Sequence, residues 1–152
     1  MKLQAFSDVS MQLLPHYIGL PAPSYATVGS SGIDLHAAID DSITIDHQQQ
    51  VVISTGLVLA IPDGLEGQVR PRSGLAVKYG ITILNAPGTI DSDYRGEIKV
   101  PLYNLGRKEF TITRGMRIAQ LVITPYVRAN LKLAKSLGET ERGTDGFGST
   151  GL

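Results

Sequence analysis

Residues 42–62, SITIDHQQQVVISTGLVLAIP, place Val51, Ile53, Thr55, Leu57 and Leu59 at alternate positions, with Gly56 inside the run. Apolar side chains recurring every second residue define a half-buried β-strand, and a glycine within such a run marks a kink. The period returns in 96–104, where Ile98, Val100 and Leu102 share a face, in 110–113, and in 116–124 with Met116, Ile118 and Val122. Turn residues separate these runs at Pro62-Asp63-Gly64, Asn85-Ala86-Pro87-Gly88, Leu105-Gly106 and Arg114-Gly115. Short strands punctuated this often predict an all-β domain, either a sandwich, a jelly roll or a similar closed sheet. The 17 glycines and 8 prolines among 152 residues argue in the same direction, against a helical bundle.

Composition narrows the function. The chain carries 14 basic and 14 acidic side chains and no cysteine. Zero net charge removes bulk counterion release as a driving force for nucleic-acid or membrane-surface binding. Disulfides and thiolate metal sites are excluded, and the spacings of His16, His36 and His47 match no zinc-ligand pattern. The opening MKLQAFSDVSMQLLPHY lacks the apolar run of a signal peptide, and no stretch approaches the ~20 apolar residues of a membrane span. The expectation is a cytoplasmic domain with neither membrane nor nucleic acid as partner.

Four segments carry possible chemistry. Ser73 to Tyr79 reads as a two-turn helix with Ser73 as N-cap and Gly80 as its stop. Pro71-Arg72-Ser73-Gly74 therefore sets a guanidinium, a hydroxyl and free amides at one point, which suits a phosphate, or else only a capped helix with a surface ion pair. Residues 81–100 read as a β-hairpin whose return limb carries Asp91, Asp93 and Tyr94; Asp91 is a general base toward water or part of an Asx turn. Gln120 on an apolar strand face, and Asp34 between two aliphatics, are satisfied core groups or side chains aimed at a ligand. Finally, residues 138–151 hold five glycines and Phe147 as their one large apolar side chain, too little to order the segment alone. Arg142 and Phe147 within it suit a ligand offering both an anion and a flat ring.

The ordered set resembles the dUTPase family, the trimeric deoxyuridine triphosphate nucleotidohydrolases. Five family motifs appear in sequence: SSGIDLHAA from Ser30, PRSGLAVKYGI from Pro71, NAPGTIDSDYRGEI from Asn85, RGMRIAQLVI from Arg114 and ERGTDGFGSTG from Glu141. The resemblance implies a jelly-roll-like β-clip barrel with one short helix over residues 1–137, a flexible C-terminal arm over 138–152, and a homotrimer with shared active sites. It implies hydrolysis of dUTP to dUMP and pyrophosphate, which limits uracil incorporation into DNA and supplies dUMP for thymidylate synthesis.

By the same resemblance, Asp91 orients and deprotonates the attacking water and touches the sugar 3′-hydroxyl. Tyr94 packs on the sugar and rejects a ribose. Asn85, with the backbone around Gly88, Thr89, Ile90 and Lys99, reads uracil. Arg72, Ser73, Gly74 and Gln120 grip the phosphates, and Asp34 approaches Mg²⁺ through water, the ion being held mainly by the phosphates. Arg142, Phe147, Gly148 and Ser149 belong to the closing arm, with Arg142 on the γ-phosphate and Phe147 on the base. Asp145 departs from the family pattern, which has a small or neutral residue there, and Ser31 stands where alanine is usual. Two other readings differ in their outcomes: a dCTP deaminase of the same superfamily would release ammonia, and a nucleotide sensor would bind dUTP without turnover.

Overall fold

The computed structural model of the protein describes residues 7–146. Its strands are β1 (Ser10–Leu13), β2 (Gly32–His36), β3 (Ile43–Ile45), β4 (Gln50–Ser54), β5 (Leu57–Ala60), β6 (Leu65–Arg70), β7 (Ile81–Ile83), β8 (Gly88–Ile90), β9 (Lys99–Asn104), β10 (Phe110–Ile112) and β11 (Arg117–Pro125). One helix, α1 (Ser73–Tyr79), follows β6, and a 3-10 turn covers Pro15–Tyr17. The expected all-β class with a single short helix is what forms.

The kink read at Gly56 separates β4 from β5. Gly56 has φ of 67°, a left-handed conformation that costs a glycine little. An added Cβ there would crowd Tyr17 at 3.1 Å and His16 at 3.3 Å, so the N-terminal segment lies directly on this bend. The alternation survives the bend: Ile53, Thr55, Leu57 and Leu59 are all buried.

Strand order is β2-β11-β6-β8 in one sheet and β4-β9-β7 in another, with β1-β5 and β10-β3 as two-stranded pairs. Ile53, Ile81, Val100, Leu102, Ile112, Ile118 and Leu121 belong to one core cluster. Each such side chain contributes about 1.5–3 kcal/mol on burial. Among the described residues, the two buried polar side chains, Thr55 and Asn104, are satisfied. Thr55 Oγ1 donates to Ile98 O at 2.6 Å, and Asn104 Nδ2 donates to Ile45 O and Lys108 O at 2.9 and 2.8 Å.

Three local expectations change. Residues 81–100 do not form one hairpin ladder: β7 pairs with β9, while β8 between them leaves to pair with β6. Asp91, Asp93 and Tyr94 thus sit in the irregular connection after β8. Ser73 is the first helical residue and not the cap, since Arg72 holds the extended cap conformation and no side chain caps the amides. The helix does end as expected, at Gly80 with φ of 70°. In β11 the register shifts between Arg117 and Ala119. This bulge turns Ala119 and Leu121 into the core beside Ile118, which puts Gln120 on the other face.

Beyond β11, residues 127–146 carry neither helix nor strand and are exposed throughout. No helix among the described residues is long and apolar enough to cross a membrane.

Candidate active site

A pocket of about 250 Å³ is built where β8, the connection after it and the start of β9 meet β6. Asn85, Gly88, Thr89, Ile90, Asp91, Tyr94 and Lys99, all seven of the residues expected on the base, sugar and catalytic side, line it together. Val69, Glu97, Ile98 and Pro101 complete the wall. Pairing of Gly88 with Val69 and of Ile90 with Gly67 fixes the backbone of β8. Gly88 is buried, so its main chain forms the wall where a side chain would otherwise intrude.

Tyr94 is 43% exposed, and its ring direction is set locally. Its hydroxyl donates to Glu97 O at 3.0 Å, and a Cβ on Gly96 would overlap the ring. A turn with Tyr94 N–H donating to Asp91 O at 3.1 Å brings the catalytic candidate beside it. The turn uses the Asp91 main chain. Among the described residues its carboxylate takes no protein hydrogen bond and is left exposed to solvent, as a base toward water requires.

Glu97 has the opposite character. Its side chain is 13% exposed, and Oε1 accepts hydrogen bonds from His16 Nε2 at 2.7 Å and Gly56 N–H at 2.8 Å. Burial pushes its carboxyl up, but the bonds from His16 and Gly56, with the charges of His16 and Lys99, outweigh burial and hold it below the ordinary glutamate value.

The second cluster lies across β6. Arg72 Nε meets Asp34 Oδ1 at 2.9 Å and Arg117 Nη1 meets Asp34 Oδ2 at 3.2 Å, so one carboxylate is shared by two guanidiniums. Gln120 stands opposite Asp34 on one side and Arg70 on the other. Its amide donates to Pro71 O at 2.9 Å, and Gly32 leaves the room its oxygen occupies. Ser73 and Gly74 are exposed at the start of α1 beside this group. His36 adjoins it with Nδ1 buried and unpartnered; burial lowers its pKa, Asp34 acts against that, and Arg117 and Arg72 add to the lowering.

Asp34, Arg72 and Gln120 are therefore gathered as expected, but none of them lines the pocket. Arg142 lies apart from both, exposed in 127–146, with Nε donating to Asp145 O at 2.8 Å. Phe147, Gly148 and Ser149 fall outside the described residues. Sequence reasoning missed three residues: Arg117, Glu97 and His16. The first two sit inside the family motifs, Arg117 opening β11 and Glu97 just before β9, where a charge also reads as solvated surface. His16 gave no signal, since its partner is 81 residues away.

A jelly-roll-like β-domain with a small pocket holding Asp91, Glu97 and Lys99, and a cationic cluster on the other side of β6, is the class of β-fold that the chain presents. Comparison narrows it. The family model described as dUTPase matches residues 19–151. The chain is 56% identical over 139 residues to the deoxyuridine 5′-triphosphate nucleotidohydrolase of Neorickettsia sennetsu, covering 91% of this chain and 93% of the relative. With the enzyme of that name from Mesorhizobium japonicum it shares 54% over 140 residues, covering 91% and 87%. The dUTPase of Staphylococcus bacteriophage 80alpha, solved with dUPNHPP, superposes with a TM-score of 0.81 at 27% identity, over 97% of this chain and all of that one. The chain belongs to the dUTPase family.

Proposed function

We infer that the protein is a dUTP diphosphatase, hydrolysing dUTP to dUMP and pyrophosphate and so limiting uracil incorporation into DNA while supplying dUMP for thymidylate synthesis. The observation that carries this is the single pocket in which all seven base-side, sugar-side and catalytic candidates meet. Uracil enters with its edge on the β8 backbone and Asn85, whose donors and acceptors match uracil and leave cytosine's reversed pattern unpaired. Tyr94 lies against the deoxyribose, where a 2′-hydroxyl would collide with the ring. Asp91 takes a proton from water as the water oxygen attacks the α-phosphorus. The bond from that phosphorus to the bridging oxygen breaks, and pyrophosphate leaves with the electron pair.

Arg72, Ser73, Gly74 and Gln120 grip the phosphate chain, joined by Arg117, and stabilise the charge that builds there. Among the described residues no group of three or more His, Cys, Asp or Glu could hold a metal, and both oxygens of Asp34 face guanidiniums. This donor set fits Mg²⁺ only as a cation carried by the triphosphate, with Asp34 contributing through water. When bound, the ion supplies charge neutralisation along the phosphates.

The active unit is a homotrimer. Within one chain the phosphate cluster and the pocket share no lining residue, and residues 127–146 are exposed, which supports sites completed by neighbouring subunits. The arm over 138–152 closes such a site, with Arg142 on the γ-phosphate and Phe147 on the base, Gly148 and Ser149 following onto the phosphates.

Pyrophosphate release from dUTP with Mg²⁺, compared with dTTP, dCTP and UTP, tests the reading. Asp91→Asn should lower kcat by about 10²–10⁴-fold while dUTP still binds. Ammonia from dCTP would identify a deaminase instead, and bound but intact dUTP a sensor.

A further inference from the structure

We propose that His16 is a positioning residue for the pocket, acting through Glu97 on the segment to which Tyr94 is tethered. The inference rests on the hydrolase reading and extends it to residues 14–18, which none of the five motifs contains. An ionised carboxylate only accepts, so His16 Nε2 is the donor in its 2.7 Å bond to Glu97.

The backbone that presents His16 is itself fixed. Leu14 N–H donates to Gly56 O at 2.8 Å, and Arg114 Nη2 donates to His16 O and Ile18 O at 2.8 and 2.7 Å. Tyr17 between them is buried, with its hydroxyl donating to Pro21 O at 2.6 Å. A rigid N-terminal strap thus holds an imidazole against a carboxylate in the pocket wall.

From Glu97 the constraint passes to the substrate side. Its main-chain oxygen receives the Tyr94 hydroxyl at 3.0 Å, and the next residue, Ile98, is locked by its N–H to Leu57 O at 2.8 Å and by Thr55 Oγ1 on its own carbonyl at 2.6 Å. Without His16, the Glu97 carboxylate keeps Gly56 N–H and a Lys99 ammonium 3.8 Å away. A largely buried carboxylate short of a partner moves toward charge or water. The peptide that anchors Tyr94 moves with it.

Steady-state kinetics on dUTP and UTP with the full chain, together with Tm, test this. His16→Ala should raise KM for dUTP about fivefold, keep kcat within about twofold, and weaken the preference for dUTP over UTP by a similar factor. His16→Gln places an amide donor near the position of Nε2 and should recover most of both. Unchanged KM and preference with only a lowered Tm would assign His16 a merely structural role and overturn the proposal, as would a Gln variant no better than Ala. If His16→Ala does not fold, Glu97→Gln carries the test, because it keeps an acceptor for Gly56 and removes the charge facing His16. A KM raised at least about twofold supports the proposal, and an unchanged KM overturns it. Wild-type protein that releases no pyrophosphate from dUTP would overturn the hydrolase reading, and this inference with it; an active wild type with unaffected variants overturns this inference alone.

Discussion

The pocket and the phosphate cluster flank β6 in the same sheet, one on the β8 side and the other on the β11 side, yet they are organised by different forces. In the pocket, the proposed selectivity rests on main chain and on a tyrosine tethered to a carbonyl, so it works by shape and uncharged hydrogen bonds. In the cluster, one carboxylate is shared by two guanidiniums before any ligand arrives, which leaves one net positive charge. An incoming phosphate must compete with Asp34 for Arg72 and Arg117. On the proposed function, discrimination belongs to the pocket side, and the guanidinium side supplies affinity that responds to its surroundings.

The sharpest way to break this contrast uses two glycines that make room for functional side chains. Gly96→Ala would displace the Tyr94 ring and Gly32→Ala the Gln120 amide. Each clash falls on the far end of a side chain, so stability should change by less than about 1 kcal/mol. Gly96→Ala should cut kcat/KM for dUTP about tenfold and reduce dUTP-over-UTP preference. Gly32→Ala should cost about threefold, in dUTP affinity and not in dUMP affinity. Equal loss of sugar selectivity in both variants would merge the two regions into one.

A smaller effect is expected from salt. Raising ionic strength from about 0.05 to 0.5 M shortens the screening length below the spacing of exposed charges, so KM for dUTP should rise about two- to fivefold. Inhibition by deoxyuridine, which carries no charge itself, should stay constant. A deoxyuridine Ki that rises in parallel would mean that Asp91 and Lys99 of the pocket contribute charge to nucleoside binding.

The smallest effect concerns Glu97, the one charge buried in the pocket wall. Its folded pKa is depressed, so its stabilisation is complete above the ordinary glutamate value of about 4.3 and drains as pH falls through the lower folded value. The Tm of the wild type should drop more steeply on that acid limb than the Tm of Glu97→Gln. Parallel curves would mean that the carboxylate titrates as it does in the unfolded chain.

The parts of the fold legible in the sequence were those written in local period and punctuation. Ile53 to Leu59, Ile98 to Leu102 and Gly80 gave their strands and helix stop because alternation and a left-handed cap are local facts. Pairing is not local. Nothing in residues 81–100 says that β8 leaves its neighbours for β6, and the bulge before Ala119 breaks the period that assigned Gln120 to the core face. The pocket residues came through the motif resemblance and not through physics visible in Asp91 or Tyr94 alone. Arg117 escaped because a charge at a strand end reads as solvated surface until its ion pair with Asp34 is seen.

The departure of β8 has a consequence for motion. The strands before and after it, β7 and β9, pair with each other in one sheet, while β8 is the edge strand of another. Residues 84–98 therefore act as a stitch between two layers. The pocket wall is held more firmly than a free loop, because loosening it means pulling β8 off β6 or parting the layers. The β8 amides that donate to β6 should exchange with solvent more slowly than the amides of the exposed residues 127–146. The backbone proposed to read the base is held between two sheets and gains its stiffness from both.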